Sequence, residues 1–77
     1  MIELALHDEL DELFSENLPS GAIRLHLGLN HNWDDLSARF GDELDSGQLQ
    51  IARGLLADDN AARHFERVGD ALIIRVA

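Results

Sequence analysis

From Ala22 to Leu29 the chain alternates: Ile23, Leu25, Leu27 and Leu29 are apolar, with Arg24, His26 and Gly28 between them. A period of two is that of a half-buried strand, and a helix cannot gather those four positions on one side. The stretch therefore argues against an all-helical fold. A second signal lies near the C-terminus, where Gly69-Asp70 separates residues 64–68 from 71–76. Two loop residues with Gly first suit a type II′ hairpin, with Leu72, Ile74 and Val76 directed inward. Residues 2–6 read either way. Ile2, Leu4 and Leu6 alternate as in a strand, but they also run directly into a helical pattern.

That helical pattern covers residues 7–18. Leu6, Leu10, Leu13, Phe14 and Leu18 form one stripe, with Asp8, Glu9, Asp11, Glu12 and Glu16 on the other side. Asp8 is an expected N-cap, and Pro19-Ser20-Gly21 an expected stop. A shorter helix is predicted from Trp33 to Phe40, capped by Asn32 and ended by Gly41, with Trp33, Leu36 and Phe40 on its inner face. A third is predicted over 46–57. Asp45 and Gln48 resemble its capping box, and Leu49, Ala52, Leu55 and Leu56 point inward. Asp58-Asp59-Asn60 reads as the turn that ends it. The expected fold is α+β: a small antiparallel sheet of three or four strands with a C-terminal hairpin, packed against about three helices.

Length and composition bound the rest. The 77 residues make one expected compact domain, 1–77, and 45% hydrophobic content is too high for a disordered acidic tail. The absence of Cys removes disulfides and thiolate zinc sites. No apolar run reaches the roughly 18 residues of a membrane span, and the N-terminus lacks the basic and apolar regions of a signal peptide. A soluble, cytoplasmic protein is expected.

Charge is the functional lead. Fifteen Asp and Glu face six Arg, and the formal net charge is −9. The first twenty residues carry six acids and no cation. Such a one-sign field repels nucleic acid and attracts basic surfaces. Asp8, Glu9, Asp11, Glu12 and Glu16 place five carboxylates in nine residues. On a helix that is one charge per roughly 2.7 Å. A single strand of duplex DNA carries one phosphate per about 3.4 Å of axis. Asp34, Asp35, Asp42, Glu43 and Asp45 form a second candidate patch. Partners are expected among basic nucleic-acid-binding proteins or complexes, with no direct binding of nucleic acid, because the six Arg are scattered and outnumbered.

Catalytic and cofactor signatures are missing. His7, His26, His31 and His64 show no zinc spacing, and no phosphate loop or nucleophile elbow occurs. Trp33, Phe14, Phe40 and Phe65 read as core. No enzyme activity, metal or cofactor is expected. In size, charge and compactness the chain resembles small phage-type inhibitors that mimic DNA, including some anti-CRISPR proteins, a class without a shared motif. That resemblance implies competition for a DNA- or PAM-reading surface of an effector complex. The other expectation is an antitoxin, an immunity protein or a small regulatory module that binds through an apolar face. A carrier is the alternative from another class. Asp45-Ser46-Gly47 resembles the attachment site of acyl carrier proteins, which implies an all-helical bundle and a prosthetic group on Ser46, although Gly47 replaces the apolar residue of that motif.

Overall fold

The alternation at Ile2, Leu4 and Leu6 resolves as a strand. The computed structural model describes residues 1–57 and 63–76. Its elements are β1 (Ile2–His7), β2 (Phe14–Asn17), β3 (Ile23–Gly28), α1 (Trp33–Phe40), α2 (Ser46–Leu56), β4 (Arg63–Val68) and β5 (Ala71–Val76). The sheet order is β2-β3-β1-β5-β4. β1 and β3 run parallel with Leu4 opposite Leu25, and every other neighbouring pair is antiparallel. The expected turn at Asp58-Asp59-Asn60 lies outside the described residues.

The expected architecture of three or four antiparallel strands on about three helices is corrected in two respects. The sheet is mixed and has five strands, and the described residues hold two helices, with about 39% strand and 27% helix. The helix expected over 7–18 does not form. Residues 8–13 are a loop and Phe14–Asn17 is an edge strand, so Asp8 caps nothing. The physical reason lies in the acids. A helix would set Asp8 near Asp11 and Glu12, Glu9 near Glu12, and Glu12 near Glu16. Each like-charge pair costs about 0.2–0.5 kcal/mol, and no cation is present to offset it. The apolar stripe has a second use in the extended form: Leu13 packs against the core while Phe14 turns to the opposite face of the sheet.

The other helices form where their caps and stripes place them. At α1, Asn32 Oδ1 accepts from the Asp35 amide at 3.1 Å and the Asn32 amide donates to Asp35 at 2.9 Å. At α2, Asp45 accepts from the Gln48 amide at 2.8 Å and Gln48 accepts from the Asp45 amide at 3.1 Å. Both are reciprocal capping boxes, which satisfy donors that a helix start leaves orphaned. The hairpin also forms. Gly69 has φ 59°, and among the described residues no non-glycine residue has positive φ, so Gly69-Asp70 has the signs a type II′ turn requires at its two central positions.

Both helices cover one face of the sheet. Ile2 and Leu4 of β1, Leu25 and Leu27 of β3 and Ile74 of β5 are buried there against Leu36, Phe40, Ala52 and Leu55. Leu72 packs against the same core, but Val76 is exposed, as is Leu29 at the end of its alternation. Phe14 and Phe65 are exposed too, so two of the four aromatic residues expected in the core lie outside it. The opposite face has no helix. A small apolar cluster of Ala5, Ala71 and Ile73 lies buried there, and the side chains around it are polar: Glu3, His7, Arg24, His26, Arg75, Glu16 and Glu66 share this side by strand parity.

Candidate functional site

β1 and β3 are parallel neighbours, and the chain must cross the end of β3 to reach β2 on its far side. Residues 8–13 make that crossing. Gly28, the last residue of β3, permits it: a Cβ there would stand 2.9 Å from the Leu10 carbonyl oxygen and 3.3 Å from its nitrogen. The sheet end thus carries the acidic loop directly on its backbone. Gly28→Ala is expected to push the loop away and cost about 1–3 kcal/mol, which urea unfolding would measure. Wild-type stability together with unchanged amide shifts over 8–13 would contradict the close approach.

The loop's acids are presented outward. Asp8, Glu9, Asp11 and Glu12 are exposed, and none forms an ion pair among the described residues. Asp8 and Glu9 join His7 and Asp70 around an open cleft of about 420 Å³. A neighbouring cleft is lined by residues 8–11 together with Leu29 and Asn30. The β4–β5 turn and the β3–α1 connection therefore meet the acidic loop at one end of the sheet.

The remaining candidates divide. Glu16 is drawn into the open face of the sheet and is only half exposed. Asp35 and Asp45 serve as capping residues. Glu43 is tied to Arg39 at 3.0 Å and accepts from the Ser15 hydroxyl at 3.5 Å. Asp34 and Asp42 are exposed, with no ion pair among the described residues. The second patch is thus largely committed to structure, and the contiguous acidic surface is the loop, with Asp70 added to it by the hairpin.

Beside this surface runs a hydrogen-bonded chain across three strands. His7 Nε2 lies 2.7 Å from His26 Nδ1, and His26 Nε2 lies 2.9 Å from Glu16 Oε1. The Glu16 carboxylate can only accept, so neutral His26 carries its proton on Nε2 and accepts from His7 Nε2–H through Nδ1. Phe14 stacks on His26 with ring centroids 4.2 Å apart and planes 8° from parallel. Burial holds the His7 pKa below the ordinary imidazole value, and the neighbouring His26 lowers it further, against an opposing effect of Asp70. Next to this chain, Arg24 Nε donates to buried Glu3 at 2.6 Å, and its guanidinium also stands 3.9 Å from Glu16.

Sequence reasoning placed His26 on the polar face of its strand and missed its partners. The alternation of residues 2–7 already put Glu3 and His7 on one side. Only the parallel pairing of β1 with β3, which sets Glu3 opposite Arg24 and His7 opposite Gly28, brings them to Arg24 and His26. Among the described residues no group of three or more His, Asp or Glu converges as a metal site, and no helix is long and apolar enough to cross a membrane. Ser46 is the first residue of α2, but a five-stranded sheet departs from the all-helical bundle that a carrier would have. No family model, curated protein or solved structure matches the chain.

Proposed function

We propose that the protein acts by binding a basic, nucleic-acid-binding partner in the cytoplasm, with its acidic loop occupying a groove built for phosphates. The observation that supports this reading is the run of exposed carboxylates at Asp8, Glu9, Asp11 and Glu12, without an ion pair among the described residues. The charge density persists without a helix. Even fully extended at about 3.4 Å per residue, residues 8–12 hold four carboxylates within about 14 Å, close to the phosphate spacing of a nucleic acid strand. Arg24, Arg39 and Arg75 are occupied by Glu3, Glu43 and Glu66 elsewhere, so they do not cancel this field locally. The reading is of a competitive inhibitor, akin in character to the phage-type DNA mimics, and involves no catalysis.

The experiment is capture from a host lysate at increasing salt, followed by competition with duplex DNA for the captured protein. Binding should weaken with salt, because exposed charges are screened over about 8–10 Å at physiological ionic strength. Reversing Asp8, Glu9 and Glu12 to Lys together should lower affinity about a hundredfold or more. Stability should stay within about 0.5 kcal/mol of wild type or rise, since these side chains are exposed and like-charged. A folded triple variant that binds normally would move the interface to the β4 margin, where Phe65, Val68 and Val76 are exposed. Exposed apolar side chains of this kind are what a regulatory or immunity-type module would rely on.

A further inference from the structure

Both ends of the acidic loop are fastened to the same imidazole. Residue 7, just before the loop, donates to His26, and residue 14, just after it, stacks on His26. Glu16 of the same edge strand accepts from the other side of that ring. β2 has four residues, all exposed, and its backbone ladder runs to β3 alone. The side chains that meet His26 add to that single ladder.

This fastening depends on how many protons the two rings carry. With both rings neutral, His7 Nε2–H donates to His26 Nδ1, and His26 Nε2–H donates to Glu16. One added proton preserves every link. On either ring it leaves one donor and one acceptor across the 2.7 Å contact, so that bond forms in one direction or the other. A second proton cannot be accommodated in the same way. His7 Nε2 and His26 Nδ1 would both carry hydrogen, and two donors facing each other at that distance repel.

We propose that His26 is a proton-operated latch on the acidic loop, holding both of its ends while the His7–His26 pair carries at most one proton and releasing the His7 end when it takes a second. The charged groups facing the pair are known from each side. Asp70 approaches His7 from the β4–β5 turn, and Asp8 and Glu9 share its cleft. Glu16 meets His26 from β2 and is itself approached by Arg24 of β3, which pairs with Glu3 of β1. β5 places the small Ala71 opposite His7. Once released, His7 as a cation turns toward Asp70, Asp8 and Glu9, and so neutralises part of the field at the loop's base. If the loop is the partner-binding surface, as read above, acidification then weakens partner binding twice, by loosening the loop and by discharging it.

The stability sign follows from the lowered His7 pKa. Through the ordinary imidazole range, around pH 6.5, the unfolded chain binds a proton that native His7 refuses. Stability associated with His7 is therefore complete above that range, and it is lost as pH falls from there toward the lowered native value.

Amide hydrogen exchange and ring ¹⁵N shifts of the free protein from pH 7.5 to 4.5 test the latch without any partner. The ring shifts should show two separated protonation steps. At the lower step the protection factor of the Leu29 amide, which donates to the His7 carbonyl at 3.0 Å, should fall about tenfold, the equivalent of one hydrogen bond, while those of β2, held by β3 and His26, stay unchanged. His7→Gln keeps an N–H donor for His26 but cannot be charged, so in that variant the pH dependence of Leu29 protection should vanish. Unchanged Leu29 protection through the lower step, or the same pH dependence in His7→Gln, would overturn the latch. Because no partner is present, these outcomes are separate from success or failure of the capture experiment.

Discussion

Arg24→Met is expected to lower the stability of this protein by about 3–5 kcal/mol. Glu3 sits in the second position of the chain's first strand, and its side chain is only 5% exposed. Nearby Ala5, Ala71 and Ile73 leave little water to solvate it. Its carboxylate is tolerable because Arg24, directly opposite in the parallel register, donates to it at 2.6 Å. Removing the guanidinium leaves a buried, uncompensated charge, the costly way to break such a pair. Arg24 retains 23% side-chain exposure, so solvent screening moves the expectation toward the lower end. A 77-residue domain has about 4–12 kcal/mol in total, and the single variant should thus lose a large share of its stability. The double variant Glu3→Leu/Arg24→Met removes both charges and should recover most of the loss. Urea unfolding of both variants checks this. A single variant within about 1 kcal/mol of wild type would mean that Glu3 is solvated.

Leu27→Ala should cost about 2–5 kcal/mol. Leu27 is fully buried, pairs in register with Leu6 of β1 and belongs to the core beneath the helices. Truncation leaves a cavity bounded by two central strands, whose backbones are fixed by hydrogen bonds on both sides and cannot collapse into it. For a domain of this size the midpoint of thermal unfolding should drop by about 10–30 °C. Leu29→Ala is the control. Leu29 continues the same alternation but is 65% exposed, and its loss should cost under about 0.5 kcal/mol. Near-equal effects at the two positions would show that β3 does not enter the core where the structure places it.

The contrast between Leu27 and Leu29 illustrates how much was legible beforehand. Alternation placed β3, but it could not say where the sheet stops covering it. The N-cap at Asn32 and the capping box at Asp45 located both helix starts, because a cap is a bond between residues a few positions apart. Gly69-Asp70 located the hairpin for the same reason. The acidic stretch failed because two local patterns overlapped. Its leucines fit a helix, its like charges opposed one, and the balance depended on a third party, the free edge of β3. As for the candidate site, Asp8, Glu9, Asp11 and Glu12 were legible as a charged run, while their neighbour Asp70 and the His7–His26–Glu16 chain were not.

The amino-acid order alone determined the strand at 23–28, both helices, the terminal hairpin and the sign of the surface charge. Each depends on interactions spanning only a few residues, or on a simple sum. Tertiary structure alone decided that β1 lies parallel to β3 and that residues 8–13 cross over Gly28. It also decided that one imidazole meets partners from β1 and β2. Those outcomes turn on the free energy of pairing strands distant in sequence, where several registers satisfy the same alternation and only packing of the whole sheet against its helices selects one.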